Sequence, residues 1–161
     1  MRLWHKDLIP VLPRQQLLSQ WRECCCIARN IAVNGTPNHL LVNKVLDYPP
    51  AHLHEYAARI DDEMTRRGYK CEWSKFAQWN IGYKVEDGPV STSDLFAGWH
   101  NGRYLRQCFY NLQEKYDCGG INEEEWQKLV DNNRISARIT EETQQTNSKK
   151  GGTTCTPTTR H

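Results

Sequence analysis

Apolar residues recur at helical spacing in several stretches of this chain. In the first, Leu17, Leu18, Trp21, Cys24, Cys25 and Ala28 recur at spacings of three and four. That period predicts a helix from Pro13 to about Arg29 with one buried stripe, and proline suits its first turn. Arg14, Arg22 and Arg29 fall largely off the stripe. Asn34-Gly35-Thr36-Pro37 reads as a turn and cap, opening a short helix from Asn38 to Asp47. Tyr48-Pro49-Pro50 breaks it. The next helix is expected from about Ala51 to Arg67, with Leu53, Tyr56, Ala57, Ile60 and Met64 inward and Gly68 past its end.

Residues 69–100 have no clear period. They carry Trp73, Phe76, Trp79, Trp99 and the turn Asp87-Gly88-Pro89, which suggests an irregular segment with most of its rings in the core. Helical spacing returns over Gly102–Tyr116 through Leu105, Cys108, Phe109 and Leu112, and Cys118-Gly119-Gly120 stops it. Asn122 with Glu125 resembles a capping box and opens a helix to about Ile135. From Thr140 the chain is Thr, Gln, Ser, Gly and Lys, too polar to bury a core. The expectation is therefore an all-α protein. Residues 1–139 form a single compact helical domain with an irregular aromatic-rich insertion, and 140–161 form a disordered C-terminal tail.

Composition refines this. A length of 161 residues suits one domain with a real core. Mean hydropathy is −0.80, but six Trp and seven Tyr supply large buriable rings. The net charge of +2 does not by itself declare a nucleic-acid binder. Its distribution says more: residues 1–30 hold Arg2, Lys6, Arg14, Arg22 and Arg29 against Asp7 and Glu23, a local basic surface of the kind that holds phosphates. No apolar run is long enough to span a membrane. Arg2, His5, Lys6 and Asp7 interrupt any signal core, so a cytoplasmic protein is expected.

Metal chemistry finds little footing. His52 and His54 are two apart, whereas a helix aligns ligands at three or four, and no Cys-x-x-Cys exists outside the run Cys24-Cys25-Cys26. In a reducing compartment the seven cysteines read as packing residues or free thiols.

The start of the chain carries the most specific chemistry. An α-amine has a pKa of roughly 7.7–8.0, so on the order of a tenth is neutral at pH 7, far more than for a lysine. It is a ready nucleophile for a sugar carbon, forming an imine. A nearby carboxylate can move the protons this requires. Met1-Arg-Leu-Trp4 followed by Leu12-Pro-Arg-Gln-Gln-Leu-Leu-Ser-Gln-Trp-Arg-Glu23 resembles the opening of the pyrimidine-dimer DNA glycosylase family, the phage endonuclease V type and its bacterial relatives. A weaker resemblance covers Ala51–Lys70, ending Arg-Arg-Gly-Tyr-Lys, and Arg103–Tyr116, ending Asn-Leu-Gln-Glu-Lys-Tyr.

The resemblance implies a DNA-repair glycosylase with abasic-site lyase activity on duplex DNA, acting as a monomer without metal or organic cofactor. Met1 would supply the nucleophilic amine and Glu23 the catalytic acid/base. Arg2, Arg22, Gln15, Gln16 and Lys115 would contact DNA. The phage enzymes place a further basic residue where Cys26 stands, and the tail here lacks their aromatics. Those departures, with the low net charge, motivate a second reading: a non-catalytic nucleic-acid-binding module of the same fold. A third is an interaction protein unrelated to nucleic acid, which predicts no steep salt dependence of DNA binding.

Overall fold

The computed structural model describes residues 1–132, and every described regular element is helical. The expected domain boundary at 139/140, the tail and the end of the last helix near Ile135 lie outside the described residues.

The chain opens as an extended segment. It then makes a 3-10 turn at Lys6–Val11, capped by His5 Nδ1, which accepts the Asp7 N–H at 3.2 Å. Helix α1 spans Arg14–Asn34. Pro13 is its N-cap rather than its first residue, and it has no side chain to satisfy the helix's free N–H groups. Glu125 supplies that acceptor from across the molecule, taking the Arg14 N–H at 2.7 Å. A carboxylate there also suits the positive end of the helix dipole. The helix outlasts the expected end at Arg29 because nothing before Gly35 stops it. Gly35 adopts φ 72° and closes the last turn with a 2.8 Å bond to the Ile31 carbonyl.

The buried face of α1 is Leu17, Gln20, Trp21, Cys24, Ile27 and Ala28. Leu18 and Cys25, expected inward, are only half-buried. The stripe is centred on Gln20, Cys24 and Ile27 and includes a polar residue that hydropathy alone excludes.

The expected helix at Asn38–Asp47 is corrected. Residues 40–42 are a turn, and only Asn43–Asp47 wind, as a 3-10 helix. Asn43 explains this: its Oδ1 takes the His39 N–H at 3.0 Å, a local alternative to helical bonding. Helix α2, Pro50–Arg66, buries all five expected apolar residues and Glu63. It ends in a Schellman motif, with Gly68 N–H on the Thr65 carbonyl and Tyr69 N–H on the Met64 carbonyl, both at 2.9 Å. Glu63 binds Arg66 and Arg67. Burial pushes the Glu63 carboxyl up, but the two guanidinium groups together bring it below the usual range. Arg67 in turn donates to the Leu12 carbonyl at 2.6 Å and the Pro10 carbonyl at 3.0 Å, tying α2 to the end of the opening segment.

The aromatic segment contains only the short helix α3, Ser74–Ala77, and a 3-10 turn at Val85–Asp87. Of the rings expected in the core, Phe76 and Trp99 are buried, joined by Phe96, while Trp73 and Trp79 are only half-buried against it. Helix α4, Gly102–Asp117, ends in a second Schellman motif at Gly119 and Gly120. Helix α5 is Glu123–Val130. Asn122 caps it as expected, accepting the Glu125 N–H at 2.9 Å, while the Glu125 carboxylate turns to Arg14 instead of closing the box.

Candidate active site

Leu3 and Trp4 are buried, and both edges of the opening segment are held by side chains. On one edge, Glu23 Oε2 accepts the Arg2 N–H at 3.0 Å and Gln20 Oε1 accepts the Trp4 N–H at 2.9 Å. The fit is one of periods. Residues 2 and 4 of an extended chain point their N–H groups the same way, and residues 20 and 23 share a face of α1. The carbonyls are held as well: the Tyr104 hydroxyl donates to the Leu3 carbonyl, on the opposite edge, at 2.6 Å, and the Tyr56 hydroxyl donates to the Trp4 carbonyl at 2.7 Å. Burial pushes both phenols well above their ordinary range, so both stay protonated and donate. Helices α1, α2 and α4 thus converge on three residues. Each bond contributes on the order of 1 kcal/mol, and together they define the position of the terminus.

Met1 is 39% exposed. Covalent geometry keeps its amine within about 3.7 Å of the Arg2 nitrogen, hence within about 7 Å of the Glu23 oxygen bonded to that nitrogen. The amine thus lies near the carboxylate, on an exposed residue beside a half-buried one.

The Arg2 guanidinium lies 5.5 Å from the Trp4 ring centre, a cation–π contact. It also lines a cleft of about 590 Å³ together with Lys44 and Arg103. Trp99 and Tyr104 add rings, Asn101, Gln107 and Asn111 add amides, and no carboxylate lies among its lining residues. Arg22 is exposed beside Glu23 but opens onto a different cavity of about 970 Å³, shared with Trp21, Lys70 and Lys75.

The other expected contacts stand farther off. Gln15 is exposed and Gln16 half-buried in the first turn of α1; Glu23 is some two turns on, about 11 Å along the axis. Lys115 is exposed in the last turn of α4, eleven residues beyond Tyr104 and about 17 Å along that axis. Met1, Arg2 and Glu23 therefore come together, with Arg22 adjoining, while Gln15, Gln16 and Lys115 do not join them.

Gln20, Tyr56 and Tyr104 are functional candidates that sequence reasoning missed. Gln20 carried a signal, a polar residue between apolar ones on the buried face of α1. Tyr56 reads as ordinary core in the sequence, and Tyr104 lies off the apolar spacing of its helix.

His52 and His54 have structural partners, and Cys25 and Cys71 are shielded thiols. His52 Nδ1 accepts the Phe96 N–H at 3.0 Å, and His54 stacks on Tyr83 with ring centres 3.8 Å apart. Burial pushes the Cys25 thiol to about 11 and Cys71 to about 12, so both are protonated and unreactive at neutral pH. Among the described residues no group of three or more His, Cys, Asp or Glu is arranged to hold a metal ion. No helix of the described residues is long and apolar enough to cross a membrane.

No curated protein and no solved structure matches the chain. A family model does, and the matched stretch contains Met1, Arg2, Gln20, Arg22, Glu23 and Tyr56. Residues 1–75 match the model of the family described as pyrimidine dimer DNA glycosylase, the family that the opening residues resemble.

Proposed function

We propose that the chain is a DNA-repair enzyme that excises pyrimidine dimers from duplex DNA and cleaves the resulting abasic site, using the Met1 amine and no metal or organic cofactor. The family match supports the glycosylase. The observation that carries the chemistry is the 3.0 Å bond from Arg2 N–H to Glu23, which ties the acid/base to the peptide next to the amine.

In this mechanism the neutral amine attacks C1′ of the damaged nucleotide. The glycosidic bond breaks, and the base leaves with the electron pair and takes up a proton. Opening of the C1′–O4′ bond gives an imine, and O4′ is protonated. Loss of a proton from C2′ then expels the 3′ phosphate by β-elimination. Glu23 stabilises positive charge on the sugar and carries the protons. Arg2 and Arg22 hold phosphates from two sides of the terminus, and Lys44 and Arg103 extend the Arg2 side. Gln15, Gln16 and Lys115, more than about 10 Å away along their helices, would reach phosphates several nucleotides from the lesion.

Borohydride trapping of the untagged protein tests this, on duplexes carrying one thymine dimer, one abasic site, or neither. The expected result is a covalent adduct on the dimer duplex that maps to Met1. Trapping on the abasic site alone keeps the lyase step and removes dimers as substrate. Binding without any adduct favours the non-catalytic module.

A further inference from the structure

We propose that Leu40 and Leu41 form an apolar wedge that enters the base stack of a duplex seated in the Arg2 cleft. The proposal rests on the DNA-binding reading above and adds a contact to it. Leu40 is 88% exposed and Leu41 54% exposed. Single exposed leucines are common on protein surfaces. These two are adjacent, stand at the tip of one turn, and line the same cleft as Arg2, Lys44 and Arg103.

The turn that presents them is held from several sides. The His39 carbonyl accepts the N–H groups of Val42 at 3.0 Å and Asn43 at 2.9 Å, closing the loop beneath the leucines. Asn43 Oδ1 takes the His39 N–H, and Asn30 Nδ2 donates to the Pro37 carbonyl at 3.1 Å. Val42 and Val45 are buried and anchor the following residues in the core. Presenting the side chains therefore costs little further ordering.

The cleft decides the partner. Three cations without a lining carboxylate call for a polyanion, while two leucines call for an apolar interior within reach of that charge. A nucleic-acid duplex has both, phosphates outside and stacked bases within, and apolar side chains driven between base steps kink such duplexes. An anionic membrane also combines charge with an apolar interior, but a bilayer surface does not fill a concave cleft lined with amides and rings. Because Arg2 belongs to both the cleft and the clasped terminus, unstacking by the leucines would occur next to the amine. There it would lower the cost of extruding a damaged nucleotide.

The test uses the full-length untagged chain and a dimer-containing duplex with 2-aminopurine within two base pairs of the lesion. Wild-type protein is expected to bind with steep salt dependence and to raise 2-aminopurine fluorescence. The double variant Leu40→Ser/Leu41→Ser should keep the salt slope, because Arg2, Lys44 and Arg103 remain, and lose the fluorescence rise. Leu41→Met in an otherwise native chain should retain it. An undiminished rise in the double variant overturns the wedge and leaves the glycosylase reading standing. Absence of salt-dependent duplex binding by the wild type overturns both, and binding instead to phosphatidylglycerol vesicles would reassign the leucines to a membrane.

Discussion

Glu23 accepts the backbone N–H of Arg2 at 3.0 Å, and the peptide that carries this N–H is the one joining Arg2 to Met1. A single side chain of α1 thus both holds the terminus and stands beside its amine. In the proposed mechanism, positioning and proton transfer meet in one carboxylate.

Those two duties separate by substitution. Glu23→Gln keeps an oxygen for the Arg2 N–H but removes the charge. Strand cleavage of a dimer duplex should fall by at least about 100-fold, with the binding constant nearly unchanged. Glu23→Ala removes both and should weaken binding as well. Single-turnover cleavage with fluorescence anisotropy reads the pair, and Glu23→Gln activity within a few-fold of wild type would sink the acid/base assignment.

Gln20 touches no substrate in this scheme, yet its loss should be felt at the amine. Gln20→Met conserves volume and leaves the buried Trp4 N–H without its acceptor, which costs about 1–3 kcal/mol in urea unfolding. The rate of borohydride trapping should drop with it, and the loss should persist at temperatures where the variant is fully folded. An unchanged trapping rate in the folded variant would show that the clasp does not govern the amine.

Local rules made the helices legible and left the site half hidden. Spacing of three and four picked out α1, α2 and α4, and Gly68 and Gly119 stand where those rules put a helix stop, at φ 78° and 75°. Periodicity reports which face is buried, however, not which distant group it meets. The Glu125 contact to Arg14 spans 111 positions and the Tyr104 contact to Leu3 spans 101. Nothing in either neighbourhood signals them. A hydropathy stripe admits no amide and so leaves Gln20 out, although the buried Trp4 N–H requires an acceptor there. The turn at Leu40 breaks the expected helix because Asn43 bonds back to His39, a local competition that the spacing of apolar residues does not report.

The cleft's charge is testable through salt. Lys44 and Arg103 were not candidates until the structure set them beside Arg2. If each neutralises one phosphate, Lys44→Ala and Arg103→Ala should each reduce the slope of log K against log salt by about 0.9 on duplex DNA. Affinity should weaken similarly for damaged and undamaged duplex, since phosphate contacts carry no sequence or lesion information. Anisotropy titrations at several salt concentrations measure this. Unaltered slopes would place the DNA elsewhere on the surface.

Acid should weaken the fold through His100. Burial, with His5 and Lys6 adding to it, holds its pKa down to about 2. Its Nδ1 accepts the Lys6 N–H at 3.0 Å, which a protonated Nδ1 cannot do. The folded pKa is depressed below the unfolded value of about 6.5, so the unfolded state binds the extra proton throughout that interval. Stability is therefore fully present above about pH 6.5 and declines as pH falls below it. From pH 7 to pH 5 the His100 contribution alone amounts to a loss of about 2 kcal/mol. His52 and His54, also lowered by burial, add in the same direction. Glu63 does not intrude, because a depressed carboxylate costs stability only below the ordinary carboxylate range. His100→Gln retains an acceptor without a titrating group. Urea unfolding at pH 7, 6 and 5 should show the variant losing about 2 kcal/mol less than wild type across the series. Parallel profiles would mean that His100 gains a proton in the folded state, contrary to its burial against Phe96 and His5.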